Sequence, residues 1–186
     1  MRANGRRANG VRVPAALRFI HGESPTRFDL LVVYLVGVAG AILVLVFAGS
    51  RVAELPAWKA VILFVLAADV SGGAAAGFSA SAGAWYAQRP GLRRAFPFLN
   101  FFQPALLCLL FDGRVAYWVF LYGFTAAAAS VVMLFRGRSR QEPLAAALTA
   151  LGTIILLPIG LATPFLAWFA PIYMVKLILG FTIDRS

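Results

Sequence analysis

The sequence predicts an all-α protein, a polytopic membrane bundle of six transmembrane helices. Its 186 residues are 61% hydrophobic and only 13% charged, whereas soluble domains carry about 25% charged residues. Continuous apolar runs recur along the chain, and a helix needs about 20 such residues to cross a bilayer. These runs exclude a membrane β-barrel, whose segments of about 10 residues alternate in polarity.

A basic segment precedes the first span. Residues 1–27 are predicted to form a cytoplasmic tail, with a short interfacial helix at about 13–20. His21, the only histidine, is expected to be a solvated surface residue. The first span, at about 28–49, is longer than the apolar core of a cleaved signal peptide and resembles a signal-anchor.

Five further apolar runs complete the predicted bundle. They lie at about 57–84, 96–111, 115–135, 144–161 and 164–183. The third span is short and contains Pro97 and Pro104, so we expect it to be kinked or partly re-entrant.

The positions of the positive charges predict the orientation. With the N-terminus inside, thirteen of the seventeen Lys and Arg residues fall in inside segments and three fall outside. Cytoplasmic loops of membrane proteins carry this excess, so both termini are predicted to be cytoplasmic in a multi-pass protein of the cell membrane. The same bias accounts for the net charge of +10, and nucleic-acid binding is not expected.

Asp69 stands out because it lies near the middle of the second apolar run. A carboxyl group at that depth costs at least about 2.5 kcal/mol, and intramembrane acids usually face a protein interior. Small residues follow it at helical spacing, and Gly73 and Gly77 form a GxxxG pattern that permits close helix approach. The pattern therefore leaves two interpretations, a functional acid and a packing helix whose acid is satisfied by a neighbour.

Lys176 is the predicted partner of Asp69. Each residue lies 12 positions after the start of its span, and both spans run from outside to inside. At about 1.5 Å rise per residue, both side chains lie about 18 Å below the outer boundary. Opposite charges at one depth should pair where their helices touch, so we predict an Asp69–Lys176 contact, direct or through one water. The alternative is that Lys176 extends along its own helix to the inner interface.

The residue inventory excludes several chemistries. One histidine and one cysteine, Cys108, do not suffice for paired-histidine haem ligation or the usual zinc sites. A Ser–His protease would need His21, which lies outside the spans. The membrane alcohol-phosphatidyl transferases need several aspartates in one segment, and here only Asp69 is present. No metal and no cofactor are expected.

The preferred hypothesis is a membrane-embedded enzyme that acts on a lipid-soluble, isoprenoid substrate. A carboxyl group in an apolar site can stay neutral and act as a general acid, and aromatic faces stabilise a developing carbocation. Asp69 would start the cyclisation, with Lys176 beside it as the second catalytic residue. The candidate substrate-binding residues are amphipathic aromatics and amides of the spans and their ends: Tyr86, Asn100, Gln103, Trp118, Tyr122 and Tyr173.

On the strength of its architecture and Asp69, the chain resembles the small integral-membrane terpene cyclases of meroterpenoid pathways. The resemblance implies a compact, metal-free helical bundle whose activity depends on carboxylates inside the membrane. The better-known fungal members have seven spans and two catalytic acids, whereas six spans are predicted here. Asp112, at the outer rim, is the nearest candidate for a second acid.

Two other functions remain open at the level of sequence. Asp69 and Lys176 could form the carrier site of a proton- or ion-coupled transporter, because acid–base pairs recur in such relays. The pair could also fix helix register in a structural subunit. The expected partners are the lipid bilayer and a hydrophobic small molecule, and formation of a homo-oligomer is left open.

Overall fold

The computed structural model describes residues 10–183, and this part of the chain is mostly helical and contains no β-strand. Six helices are long and apolar enough to cross a membrane. A short helix α1 (Arg18–His21) precedes them. The six long helices, with the intervening short helix α4, are α2 (Arg27–Ala48), α3 (Ala57–Ala76), α4 (Ala80–Ala87), α5 (Pro90–Asp112), α6 (Val115–Leu134), α7 (Gln141–Gly160) and α8 (Pro164–Phe181).

Local sequence signals set several helix ends. The Thr26 side chain accepts a hydrogen bond from the Asp29 N–H, and the Asp29 carboxylate accepts one from the Thr26 N–H. This reciprocal capping box satisfies N–H groups that have no partner inside helix α2. At the other end of the bundle, Gly113 ends α5 with a φ of 72°. Glycine adopts this left-handed conformation at little cost.

Helix α3 is shorter than the second predicted span. It ends at Ala76, and Ser79 then caps the separate helix α4 by accepting a hydrogen bond from the Ala82 N–H at 3.1 Å. The predicted span of 57–84 is therefore too long. The serine cap competes with continuation of the helix, a preference that Ser shows at helix starts. Asp69 consequently lies seven residues from the C-terminal end of α3, not at its middle.

Helix α5 is longer than predicted and is interrupted inside. It begins at Pro90, not at 96, and a turn at Asn100 and Phe101 separates the segments Pro90–Leu99 and Phe102–Leu107. Pro104 has no N–H to donate to the Asn100 carbonyl four residues earlier. The Tyr173 hydroxyl donates to this carbonyl instead, at 3.1 Å. The proline thus explains both the break and the role of Tyr173.

Helices α2 and α3 form the most extensive contact of the bundle, through small residues. A Cβ placed on Gly37 would lie 3.1 Å from the Ala68 carbonyl oxygen, and one on Gly72 would lie 3.0 Å from that of Val33. Small side chains are what allow helix backbones to approach this closely. The other flank of α3 packs against α8, with Gly77 facing Gly180.

The C-terminal end of α8 is capped by buried polar side chains. Arg93, which is 4% exposed, donates to the carbonyls of Phe181, Thr182 and Ile183. Gln141 also donates to the Thr182 carbonyl, at 3.1 Å. Arg93 is one of the thirteen basic residues that the charge count assigns to inside segments. It is buried because the last carbonyls of a helix need donors from elsewhere in the chain.

The segment before α2 packs against the bundle instead of extending into solvent. The Tyr86 hydroxyl donates to the Phe19 carbonyl at 2.8 Å, and the Ser24 N–H donates to the Ser81 hydroxyl at 3.2 Å. His21 is only 4% exposed, so the expectation of a solvated surface histidine is wrong. The part of the predicted tail at residues 1–9 lies outside the described residues.

Candidate functional site: a buried ion pair between two cavities

The contact predicted between Asp69 and Lys176 is present. Lys176 Nζ lies 3.1 Å from Asp69 Oδ2. Asp69 is seven residues from the end of α3 and Lys176 five residues from the end of α8, so both lie within about 10 Å of one end of their helices. The two helices enter from the same side and touch, which is why the equal depth read from the sequence brings the charges together.

The two members of the pair differ in exposure. The Lys176 side chain is 4% exposed and the Asp69 side chain 38% exposed. The lysine is therefore packed inside the bundle, whereas the carboxylate faces open space. The Gln103 amide, which is fully buried, also donates to Asp69 Oδ2. Among the described residues, no hydrogen-bond donor reaches the second carboxylate oxygen, Oδ1.

Two donors, the Lys176 ammonium and the Gln103 amide, meet on one carboxylate oxygen of Asp69. The Gln103 Oε1 has no hydrogen-bond partner among the described residues. Because an amide carries both donors and an acceptor, Gln103 can accept a hydrogen bond from a carboxyl O–H as well as donate one to a carboxylate.

Gly73 creates the space for the Lys176 side chain. A Cβ on Gly73 would lie 2.6 Å from Lys176 Cε and 3.0 Å from Nζ. Of the small residues that follow Asp69 in the sequence, Gly73 is therefore the one that leaves room for the Lys176 side chain. Gly73 is one turn after Asp69 on α3, so the ammonium rests directly below the carboxylate.

We expect the substitution Gly73→Ala to displace the ammonium of Lys176 with little loss of stability. The clash involves the flexible end of a side chain, and alanine gains up to about 1 kcal/mol of helix propensity over glycine. The free energy of unfolding should change by less than about 1 kcal/mol, while the lysine ammonium signal in nitrogen NMR shifts. Gly123→Ala is the matched control, because a Cβ there meets nothing within 4 Å. Equal lysine spectra for the two variants would contradict this role of Gly73.

The first cavity beside the pair, here called the inner cavity, has a volume of about 270 Å³. Asp69, Gly73, Asn100 and Lys176 supply its polar and backbone surface. The remaining wall is largely aromatic and is formed by Phe19, Tyr86, Phe96, Phe102 and Phe181. Both members of the ion pair thus line a cavity whose wall is mainly apolar and aromatic.

A second cavity, here called the N-terminal cavity, lies on the other side of Asp69. Its volume is about 210 Å³, and it is bounded by α1, α2 and α3. His21 and Tyr34 line it together with Asp69. His21 Nε2 lies 3.2 Å from the Tyr34 hydroxyl, within hydrogen-bond distance. Ile20, Asp69 and Gly73 border both cavities, so the carboxyl group stands between them.

The other predicted binding residues divide into two groups. Tyr86 and Asn100 line the inner cavity, and Gln103 contacts Asp69. Tyr173 is fully buried and does not line this cavity. Trp118 and Tyr122 line a separate apolar groove of about 480 Å³, together with Cys108, and do not share a cavity with Asp69.

Both carboxylate oxygens of Asp112 accept hydrogen bonds from neighbouring side chains. Its carboxylate accepts hydrogen bonds from Arg114 Nε at 2.8 and 2.9 Å, from Trp118 Nε1 at 2.8 Å and from the Thr163 hydroxyl at 2.7 Å. These contacts tie the end of α5 to the starts of α6 and α8. Asp112 therefore joins helix ends and supplies no free acid next to the Asp69 cavities.

The residues that the sequence did not indicate come mainly from the N-terminal segment. Phe19 and Ile20 close the inner cavity, and Leu17, Ile20 and His21 close the N-terminal cavity. The signal that could have found them is the alternation of Leu17, Phe19 and Ile20 with Arg18, which is typical of an amphipathic helix at an interface.

Comparison of the chain with protein-family models, with curated proteins and with solved structures finds no match to any of them. No family is shown. The function is therefore argued from the ion pair and its cavities.

The pH dependence of stability should reveal the burial of His21. Burial lowers the pKa of His21 below its ordinary value of 6.5. The folded state thus binds a proton less readily than the unfolded state, so the stabilisation is complete above pH 6.5 and is lost as the pH falls through the folded pKa. Unfolding measured between pH 5 and 8 should show a slope in this range that is smaller for His21→Gln. Identical slopes would contradict a buried imidazole.

Proposed function

We propose that this chain is an integral membrane enzyme of the cell membrane that binds a lipid-soluble, isoprenoid substrate in the inner cavity. In this proposal the six long helices cross the bilayer with both termini in the cytoplasm. Large apolar side chains on the outside of the bundle support the bilayer part: Phe28, Phe47, Leu109, Leu134 and Ile154 are all more than 70% exposed. The single observation that carries the enzymatic part is the Asp69–Lys176 ion pair, whose carboxylate faces an aromatic cavity.

The size of the inner cavity supports a substrate that is only partly enclosed. Its volume of about 270 Å³ is just below the range of about 300–1,000 Å³ that is usual for small-molecule sites. A long isoprenoid would place its reacting end in the cavity and leave the rest of its chain in the lipid. Entry would occur from the inner leaflet, because the ion pair lies nearer that end of its helices.

The aromatic wall of the cavity supports carbocation chemistry. The electron-rich faces of aromatic rings attract cations, by about 2 kcal/mol or more where water is excluded. Tyr86, Phe96 and Phe181 pack against one another edge to face or tilted, with ring centroids 4.2 to 5.4 Å apart. Such rings hold their positions while charge develops on a substrate beside them.

Proton-initiated cyclisation requires a neutral Asp69, and substrate binding supplies the reason for neutralisation. An apolar substrate expels water from the cavity, which raises the cost of separated charges. Transfer of one proton from the Lys176 ammonium to the Asp69 carboxylate then yields a neutral amine and a neutral acid. The acid protonates a substrate alkene, ring closure follows, and loss of a proton from the product returns it to the pair. The product is an isomer of the substrate.

The tight packing of α3 and α8 between the ion pair and the starts of these two helices favours an enzyme over a transporter. Leu63 and Leu66 on α3 and Phe169 and Tyr173 on α8 are at most 5% exposed. The core is therefore closely packed between the pair and the starts of α3 and α8, the end that faces outward in this proposal, whereas the two cavities border Asp69 together with residues 17–21. A carrier site would need a route to both sides.

The test compares membranes that contain the wild-type chain, Asp69→Asn or the control Glu54→Gln, which changes an exposed acid on an outer turn. Each is incubated with isoprenoid alcohols of 15 and 20 carbons. We expect wild type and control to form a product of equal mass and different chromatographic retention, and Asp69→Asn to be slower by about 100-fold or more. Equal product formation by Asp69→Asn would contradict the proposal, as would pH-gradient dissipation by wild type without product.

A further inference from the structure

A second proton-accepting group, His21, lines the N-terminal cavity together with Asp69. His21 on α1 is 4% exposed, although it is the only histidine and lies outside the six long helices. Its ring lies 5.3 Å from that of Tyr34, centroid to centroid, and its Nε2 is within hydrogen-bond distance of the Tyr34 hydroxyl. The other ring nitrogen, Nδ1, has no hydrogen-bond partner among the described residues.

The space between His21 and Asp69 suits a water chain. Both residues line the N-terminal cavity of about 210 Å³. One water occupies about 30 Å³ in the liquid, so several waters fit. His21, Tyr34 and Asp69 supply the titratable side chains of the cavity wall, and buried waters need two to four polar partners.

We propose that His21 relays protons between the cytoplasmic side of the membrane and Asp69 through water in the N-terminal cavity. The neutral imidazole takes up a proton at one ring nitrogen, becomes an imidazolium and passes one proton to the water chain. The Asp69 carboxylate receives the proton from that chain and becomes neutral, and the imidazole is regenerated. No electrons are exchanged, and the only co-reactant is water.

The charged and titratable groups around His21 are compatible with this role. Tyr34 on α2 contacts the ring, Asp69 on α3 borders the same cavity, and Tyr86 on α4 is engaged with the Phe19 carbonyl. Arg18, on the same helix as His21, donates to the Val13 carbonyl at 3.3 Å. Burial lowers the pKa of His21, so its neutral, proton-accepting form is favoured near pH 7. Asp69 is thus the acid that shares a cavity with the ring.

This inference deepens the proposed function and rests on it for the use of Asp69 as an acid: the relay restores the proton of the pair when a turnover loses it to water instead of returning it from the product. Its test does not depend on turnover. Because the chain has one histidine, isotope-labelled histidine gives a single imidazole signal in NMR when the purification tag contains none. We expect His21 to titrate at lower pH in Asp69→Asn than in wild type, because a negative charge across the cavity has been removed. Glu54→Gln, the matched control, should titrate like wild type, and an equal titration in Asp69→Asn would overturn the proposal.

The relay itself is measured as a rate. After an acid jump, protonation of Asp69 is followed by its carboxyl stretch in stopped-flow infrared spectroscopy, with Asp69→Asn as the blank. We expect protonation to be at least about tenfold slower in His21→Gln, and added imidazole to restore the rate. Tyr34→Phe, which keeps the histidine, should fold and protonate faster than His21→Gln. An unchanged rate in His21→Gln would overturn the relay, while product formation that still depends on Asp69 would leave the proposed function intact.

Discussion

Replacement of Lys176 by Met is expected to lower the free energy of unfolding by about 2–3 kcal/mol. Removing one partner of a buried ion pair typically costs about 3–5 kcal/mol, because the other charge remains unpaired. The lower value is expected here because the Asp69 side chain is 38% exposed to its cavities and keeps part of its solvation. The measurement is reversible unfolding of the purified chain in mixed micelles.

A double substitution isolates the interaction. In Asp69→Asn with Lys176→Met, no charge remains unpaired, so we expect most of the lost stability to return. Lys59→Met is the matched control, since Lys59 is the only other lysine and its ammonium donates to the Leu110 carbonyl at 2.8 Å near the other end of the bundle. Additive effects of the two single substitutions at Asp69 and Lys176 would show that the charges do not interact.

The substitution Gly77→Val should destabilise the chain by about 3 kcal/mol. A Cβ at this position would lie 2.6 Å from Gly180 Cα and 2.9 Å from its carbonyl carbon. These atoms belong to the backbone and cannot rotate away, so α3 and α8 must separate. Overpacking of this kind costs about 1–3 kcal/mol, occasionally more, and a valine is larger than the Cβ already in conflict. The reduced stability should be measured in the same unfolding assay.

Gly83→Val provides the control for Gly77→Val. Gly83 lies in the short helix α4, and a Cβ there meets nothing within 4 Å. A change within about 0.5 kcal/mol is expected for this exchange, because no packing is disturbed. Separation of α3 and α8 should also shift Lys176, four residues before Gly180, away from Asp69. A destabilisation by Gly83→Val equal to that by Gly77→Val would contradict the close approach of the two helices.

The helices and the ion pair could be predicted because each follows from one strong physical constraint. Long apolar runs predict membrane-length helices, and the cost of a charge in lipid predicts that Asp69 and Lys176 pair when their depths agree. Counting residues from the start of each helix was enough to compare the depths of Asp69 and Lys176. The closest predicted boundaries, at α2 and α6, belong to helices flanked by charged or turn residues.

The remaining features depend on tertiary contacts that leave little trace in the sequence. The sequence around Arg93 is typical of a loop. Its burial follows from hydrogen bonds to the carbonyls at the end of α8, which the sequence does not reveal. The break after Ala76 depends on Ser79 capping a new helix within a run of small residues. The sequence predicts a solvated His21 because none of the neighbouring residues indicates that α1 packs against α4. The wall of the candidate site formed by residues 17–21 was missed for this reason.

The most direct test of the central claim is a distance measurement between Asp69 and Lys176 in a lipid bilayer. Labelling aspartate with carbon-13 and lysine with nitrogen-15 allows the dipolar coupling between Asp69 Cγ and Lys176 Nζ to be measured by solid-state NMR, with Lys59→Met to assign the lysine signal. We expect a coupling that corresponds to a direct contact and that changes when an isoprenoid alcohol is added. A lysine signal without this coupling, and with the exchange behaviour of an amine in water, would contradict the buried pair.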